Sequence, residues 1–283
     1  KQQYQHAYKR LGLLLLFGVI YNHGWGTGAP ADVEQIRYAS VLGRIGIAWF
    51  IAIFLVWHLS IRAQWIVAVS ILLGYWVVLA NVSIGQYGAG NYSATGVLNI
   101  WFDQELLPGI TYRNASMDPE GILSNIPSIV NALAGVFIGR YLKRRQNEPQ
   151  RLFSHLIAAG VLCVVIGFLW GNYFPINKSL WTSSFVMVTV GYSILLLALF
   201  YLVIDVFKYQ KWATFFAVIG MNSIIIYLSA SIVDWKYTAT SLAGGLATSL
   251  SSGWSELLLI SVTLLLQWLV LYWLYKRKIF IKV

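Results

Sequence analysis

The sequence has little charge and almost no cysteine. Charged residues make up 11% of the 283 residues, whereas a soluble globular domain has about a quarter. Hydrophobic residues make up 58%, so the composition excludes a soluble domain and indicates a polytopic membrane protein. The single cysteine, Cys163, lies within an apolar segment, which excludes a disulfide framework and a cysteine-based metal cluster.

Several common signatures of function are also missing. The chain shows no internal repeat of the kind found in transporters with two related halves. It has no Ser-His-Asp order, no phosphate-cradling glycine loop and no metal-ligand spacing, so we predict no metal site. It begins without a methionine and without a visible signal peptide, and we expect that further residues precede Lys1.

What the sequence does contain is a series of long apolar segments. They predict an all-α, polytopic helical bundle of about eight transmembrane helices, forming a single domain over residues 1–283. The predicted spans cover 8–21, 39–57, 65–82, 122–138, 152–170, 181–206, 212–233 and 257–275.

The distribution of charge predicts how these spans face the membrane. With both visible ends in the cytoplasm, the inner side collects 15 basic residues against two acids, and the outer side five against eight. The inner charge of +13 and the outer charge of −3 follow the positive-inside rule and account for the net charge of +10. The basic composition therefore reflects orientation in a lipid bilayer, and we predict no nucleic-acid partner.

Two carboxylates precede the fourth span on its outer side. Pro119 and Gly121 break the chain there and leave Asp118 and Glu120 at the membrane surface. Capping of the helix N-terminus accounts for one acid and leaves the second spare. Ser124 begins a polar face that we expect to look into the bundle, whereas Gly135 and Gly139 in the same span favour helix packing.

Arg44 is the main basic candidate, about a turn and a half into the second span. It either snorkels to the outer interface, clamps an anion, or pairs inside the protein with Asp118 or Glu120. Gly43 and Gly46 beside it would allow close backbone approach.

Two further polar segments supply candidates on the sixth and seventh spans. Lys178 lies beside a predicted helix N-terminus, which is a setting for an anion; helix capping and interfacial anchoring are the simpler interpretations for its neighbours. Polar residues within the seventh span more often bridge helices than bind ligands. The candidates in these segments are Asn177, Lys178, Trp181, Ser183, Asn222 and Ser223.

Two outer loops also carry expectations. Residues 83–118 contain aromatic residues among glycines, and we expect a lid or re-entrant segment that covers a site. Residues 234–254 are rich in Ser, Thr, Gly and Ala, and we expect them to be flexible or to lie at the membrane interface.

These motifs together resemble a known family. In order along the chain, and covering essentially all of it, they are similar to the transmembrane acetyltransferases related to heparan-α-glucosaminide N-acetyltransferase, and to their bacterial members in particular. The motifs are Asp118-Pro-Glu-Gly-Ile-Leu-Ser with Ile126-Pro127, Asn177-Lys178-x-Leu-Trp-Thr-Ser-Ser-Phe, and Gly220-Met-Asn-Ser-Ile with Tyr227, after the Arg44 segment.

The resemblance implies transfer of an acetyl group from cytosolic acetyl-CoA to an amino sugar or other glycan outside a bacterial inner membrane. Within it, Asp118 and Glu120 suit the acceptor, Arg44 and Lys178 suit the negative charge of the donor, and Asn177, Ser183 or Asn222 suit its carbonyl oxygen. The family's N-terminal helices, which hold its catalytic histidine, have no counterpart here, so we assign no catalytic residue and expect more helices in the complete protein. A transporter or flippase of a glycan or amphipathic substrate is the alternative function, and whether the chain forms a homodimer is left open.

Overall fold

The computed structural model describes residues 2–23 and 32–281. It is 73% helical and confirms the all-α prediction. The described part of the chain holds eleven α-helices: α1 Gln2–His23, α2 Val41–His58, α3 Ile61–Asn81, α4 Asn99–Leu106, α5 Asn125–Arg145, α6 Pro149–Gly171, α7 Ser183–Phe200, α8 Ala213–Met221, α9 Ser223–Ile232, α10 Trp235–Ala247 and α11 Ser252–Lys276. A two-residue hairpin pairs β1 (Ser83–Ile84) with β2 (Tyr87–Gly88) antiparallel, in the register Ser83 to Gly88 and Ile84 to Tyr87.

Each of the eight predicted spans corresponds to a helical segment. Among the described residues, five helices are long and apolar enough to cross a membrane: α2, α3, α6, α7 with its continuation to Val206, and α11. The seventh span is broken, because α8 and α9 meet at a bend of 66° and reach the required length only as a pair. The first and fourth spans form the long helices α1 and α5, but their polar residues keep them below the hydropathy of the other five. These helices identify an integral membrane protein.

Polar side chains set several helix starts. Ser40 accepts a hydrogen bond from the backbone N–H of Gly43 at the start of α2, and Ser60 accepts one from Ala63 at the start of α3. Thr182 does the same for Phe185 in α7, and Asp234 for Tyr237 in α10. Each satisfies one of the N–H groups that a helix leaves unpaired in its first turn.

The chain divides into two compact units. The first contains α1 as far as Asn22 and all of α2 to α7; the second contains α8 to α11. The prediction of a single domain stays a prediction.

In the first unit, a buried cluster fastens the segment 83–118 onto one end of the bundle. Leu98 and Ile100 of this segment are 1% exposed and pack with Leu79 of α3 and with Phe174 and Leu180, which precede α7. The segment 83–118 is therefore a folded cap that contains α4. The end of the first unit that this segment covers is called the capped end. The opposite end, where α5 finishes in Lys143, Arg144 and Arg145, is the basic end.

Two local expectations need revision. The stretch 234–254 is not a flexible loop but largely the helix α10, whose Ala239, Ala243 and Ala247 form a buried stripe one helical turn apart. The alternative that it lies at the membrane interface stays a prediction. Gly135 and Gly139 of α5 mediate no close packing among the described residues, because a Cβ atom added at either position would meet none of their atoms within 4 Å. The close helix approach lies between α6 and α7 instead.

Candidate functional site

An arginine that joins two carboxylates forms the centre of the capped end. The guanidinium of Arg37 donates from Nε and Nη2 to the two carboxylate oxygens of Asp118, both at 2.7 Å. Its Nη2 also donates to Oε2 of Glu120 at 2.5 Å, and Nη1 donates to Oδ1 of Asn22 at 3.2 Å. Bidentate geometry of this kind gives the strongest charge-assisted hydrogen bonds. The chain segment before α2 is thereby tied to the segment before α5.

The carboxylates of Asp118 and Glu120 differ in how many of their oxygens are free to accept a further hydrogen bond. Asp118 is fully used, because its carboxylate also accepts hydrogen bonds from the backbone N–H groups of Tyr112 and Glu120, at 2.8 and 2.9 Å. Within the described residues, Glu120 accepts from Arg37 through Oε2 alone, and its Oε1 has no hydrogen-bond partner. Glu120 is therefore the carboxylate that can receive a ligand.

A third acid, Asp103, holds the turn between Asp118 and Ile122 from behind. It is 2% exposed, and its two oxygens accept from the backbone N–H groups of Asp118 and Ile122 at 3.0 and 2.9 Å. Gly121 lies so close that an added Cβ atom would be 2.2 Å from Oδ2 of Asp103. Only glycine at position 121 lets α4 approach and fasten this turn.

The pKa values of Asp103 and Asp118, which are both buried, are shifted in opposite directions. Burial raises the pKa of Asp103 to about 6, and the two backbone N–H groups oppose this only in part. Burial also acts to raise the pKa of Asp118, but the hydrogen bonds and charge of Arg37 outweigh it and hold this pKa below its ordinary value. Asp118 is thus the firmly ionised partner in the ion pair.

Arg44 is buried in the wall of the same site, with 5% of its surface exposed. Its Nη2 donates to the carbonyl oxygen of Pro119 and, at 2.5 Å, to Oγ of Ser124; its Nε donates to Oδ1 of Asn125 at 3.3 Å. It takes part in none of the ion pairs found among the described residues. A buried cation that is held by neutral groups retains its attraction for an anion or a carbonyl oxygen.

Trp181, which lies two residues before α7, supports Arg44. The guanidinium carbon lies 4.3 Å from the centre of the indole ring, and the indole N–H donates to Oδ1 of Asn131 at 2.9 Å. The backbone of Trp181 has a φ of 52°, a conformation that costs a bulky residue energy and that clusters at functional sites. The fold therefore holds this ring in place against Arg44.

A cavity of about 340 Å³ joins Glu120 and Arg44. Its polar end is formed by these two residues with Asn125, and aliphatic side chains of α1, α2 and α5 line much of the remainder. The volume suits a monosaccharide-sized group or a short chain.

The structure thus brings together part of the predicted set. Arg44, Asp118, Glu120, Ser124 and Trp181 lie around one site, and Arg44 is a buried residue rather than a snorkelling one. Arg44 forms no ion pair with Asp118 or Glu120, because Arg37 pairs with both of these acids.

The other candidates lie elsewhere. Asn177 accepts from the backbone N–H groups of Ser179 and Leu180, and Ser183 donates to the carbonyl oxygen of Leu72, so both are engaged in backbone contacts. Lys178 is exposed and does not line the cavity. In the second unit, the amide of Asn222 donates to the carbonyl oxygen of Ile279 and accepts from the N–H of Ile281, while Ser223 is exposed at the start of α9.

Three residues of the site were missed in the sequence. Arg37 was counted among the five outer basic residues without a role, and that scarcity is the signal that could have marked it. Asp103 is one of three acids in the aromatic loop 83–118, and Asn125 is one of several polar residues at the start of the fourth span. Each acquires its role through contacts with distant residues.

The sequence of this chain is similar to those of two known acetyltransferases. No family model matches the sequence. Two curated proteins do, the heparan-alpha-glucosaminide N-acetyltransferases of Mus musculus and Homo sapiens, each 26% identical over 96% of this chain. The alignments cover 48% of each relative, so the chain spans about half the length of the curated relatives it matches. These matches support a family relationship between this chain and the heparan-alpha-glucosaminide N-acetyltransferases.

Proposed function

We propose that this chain is the membrane part of an acetyltransferase that moves an acetyl group from cytosolic acetyl-CoA to an amino sugar on the extracytoplasmic side. The observation that carries the proposal is the pairing of a carboxylate that has a free oxygen, Glu120, with a buried cation, Arg44, on one cavity wall. The two relatives are named as N-acetyltransferases, which agrees with it.

The chemistry assigns different tasks to the two residues. Acetyl-CoA supplies the acyl group as a thioester. The ammonium group of the acceptor first binds the free oxygen of Glu120 and gives it a proton, which frees the lone pair of the nitrogen. The nitrogen then forms a bond to the carbonyl carbon, the carbon–sulfur bond breaks, and coenzyme A leaves as the thiolate, which takes up a proton from water or from Glu120. Arg44 can donate to the oxygen on which negative charge develops.

The remaining polar residues keep these two groups in position. Arg37 orients the other oxygen of Glu120, and Asp103 holds the turn on which Glu120 lies. Ser124 and Asn125 fix the guanidinium of Arg44. Pre-organisation of this kind reduces the reorganisation that the reaction requires.

The sidedness of the proposal rests on charge. The basic end carries the Lys and Arg residues that favour the cytoplasm, and this supports a position of the capped end, with Glu120, outside. The acceptor is then a glycan of the cell surface, or one that the cell takes up from its surroundings. The proposed location of the protein is a bacterial inner membrane.

The first test is acetyl transfer from labelled acetyl-CoA to glucosamine by membranes that contain the full-length protein. We expect Glu120→Gln to lower kcat/KM by roughly 100-fold or more, because an amide cannot take the proton or hold the ammonium charge. Glu105→Gln is the matched control, since Glu105 is an exposed carboxylate of α4 at the same end. Unchanged transfer by Glu120→Gln would remove Glu120 from the mechanism.

A transporter or flippase is the second candidate, favoured by the broken helix α8–α9. Discontinuous helices form substrate sites in many transporters. Here Asn222 at the break is 0% exposed and its amide group is occupied by backbone atoms of Ile279 and Ile281. Uptake of labelled glucosamine into proteoliposomes without acetyl-CoA would favour this second function over transfer.

A further inference from the structure

The cavity beside Glu120 is chemically divided along its length. The polar lining consists of Glu120, Arg44 and Asn125 with Tyr38 and Ser40, whereas most of the other lining side chains are aliphatic. These come from three helices and the turn before α5: Leu15, Ile47, Ile51, Ile122, Ile126 and Ile129. A free sugar has hydroxyl groups on every side, and against such walls most of them would lose water without gaining a partner.

The apolar part of the cavity reaches the outer surface of the bundle. Leu15 of α1 and Ile126 of α5 line it, yet their surfaces are 38% and 40% exposed. In the part of the chain that the structure describes, both side chains are open to the surroundings of the bundle. The cavity therefore has a side entrance between α1 and α5 that is wide enough to expose aliphatic side chains.

We propose that the acceptor is an amino sugar attached to a lipid chain, whose amine lies at Glu120 and whose hydrocarbon lies along the aliphatic wall. This inference rests on the proposed acetyl transfer and narrows its acceptor. The charge of Glu120 matches the ammonium group, the aliphatic wall matches the chain, and entry between α1 and α5 lets the acceptor arrive from within the membrane. A soluble glycan would use only the polar end.

The test compares two acceptors that share one amine. In proteoliposomes of the full-length protein, dodecyl 2-amino-2-deoxyglucoside should show a KM at least roughly tenfold lower than glucosamine, a difference of about 1.4 kcal/mol. Partition of the dodecyl compound into the bilayer would also lower its apparent KM. Variants of the cavity wall separate the two explanations, because partition does not depend on them.

Ile47→Trp fills the aliphatic part of the cavity, and Ile126→Trp narrows its entrance. Each should raise the KM for the dodecyl acceptor by a factor at least roughly tenfold larger than the factor by which it raises the KM for glucosamine. Ile45→Trp is the matched control on the same helix, because Ile45 is 50% exposed and does not line the cavity. The thermal unfolding midpoint of each variant without acceptor shows whether it has folded.

The outcomes distinguish the two proposals. Transfer to both acceptors with equal KM, or equal losses in the wall variants, would overturn the lipid-linked acceptor and leave the acetyltransferase standing. No transfer to either would overturn the proposed function. Binding of the dodecyl acceptor can also be measured without turnover, as a rise in the thermal unfolding midpoint. This rise should disappear in Ile47→Trp. A rise that persists in Ile47→Trp would contradict the lipid-linked acceptor.

Discussion

Asp118 and Glu120 stand two residues apart and yet have different roles. Asp118 accepts four hydrogen bonds, two from Arg37 and two from the backbone, whereas Glu120 keeps one oxygen free beside the cavity. The sequence indicated that one acid was structural and one was spare, but it did not indicate which. The answer depends on Arg37, which lies 81 residues before Asp118.

Asp103 gives the site a dependence on pH. Its folded pKa of about 6 lies above its ordinary value of 3.8, so the folded state binds this proton more tightly than the unfolded state. The stability that it contributes is therefore complete below about pH 4 and is lost as the pH rises through 6. We expect a fall of about 3 kcal/mol in the free energy of unfolding from this group.

The measurement is the thermal unfolding midpoint of the purified protein between pH 4 and 7. Asp103→Asn removes the titrating group and should flatten this part of the profile, at the cost of a lower midpoint throughout. Glu105→Gln changes an exposed carboxyl two residues away and should leave the profile as it was. An identical slope in Asp103→Asn would show that another group titrates.

At the scale of the helices, α6 and α7 make the closest contact through glycines. A Cβ atom at Gly191 would lie 2.6 Å from Cγ2 of Val164 and 2.8 Å from the carbonyl oxygen of Gly160. A Cβ atom at Gly167 would lie 2.5 Å from Cγ2 of Val188. These glycines let the two backbones approach, as small residues do between membrane helices.

Gly191→Ala should therefore destabilise the protein by about 1 to 3 kcal/mol, because the helices must separate to admit the methyl group. Gly135→Ala in α5 is the control, since its new methyl group meets no atom within 4 Å and alanine favours the helix. Thermal unfolding in detergent compares the two variants. Equal stability of both would mean that the α6–α7 contact adjusts without cost.

Two elements could not be predicted because local sequence does not decide them. The seventh span is continuous in hydropathy, and its break at Asn222 is stabilised by the backbone of the C-terminal segment. Helix α10 lies in a stretch of small polar residues that resembles a loop. Its alanine stripe becomes a reason to form a helix only when α11 packs against it.

For the whole molecule, the separation of charge predicts its orientation. The basic end carries Lys143, Arg144 and Arg145, and the capped end carries the carboxylates of the candidate site. We expect the basic end in the cytoplasm, because short loops rich in Lys and Arg remain there.

Single-cysteine variants test this orientation in intact cells. In a background from which Cys163 and any other cysteine of the full-length protein have been removed, a membrane-impermeant maleimide should label Glu105→Cys directly, because Glu105 is exposed at the capped end. It should label Arg144→Cys only after permeabilisation, because Arg144 is exposed at the basic end. The reverse pattern would place Glu120 in the cytoplasm and contradict the proposed sidedness of transfer.

The sequence by itself determined the fold class and the positions of eight helical segments, of which five, or six with the bent pair, are long and apolar enough to span a membrane. It also predicts the orientation, which stays a prediction. These features follow from the hydropathy and charge of each segment, which do not depend on how the segments pack against one another. It also singled out Arg44, Asp118, Glu120 and Trp181. Only the tertiary structure decided that Arg37 pairs with both acids, that Asp103 holds their turn and that α6 and α7 meet through glycines. Such contacts join distant segments, and they depend on how side-chain shapes fit once the helices have packed.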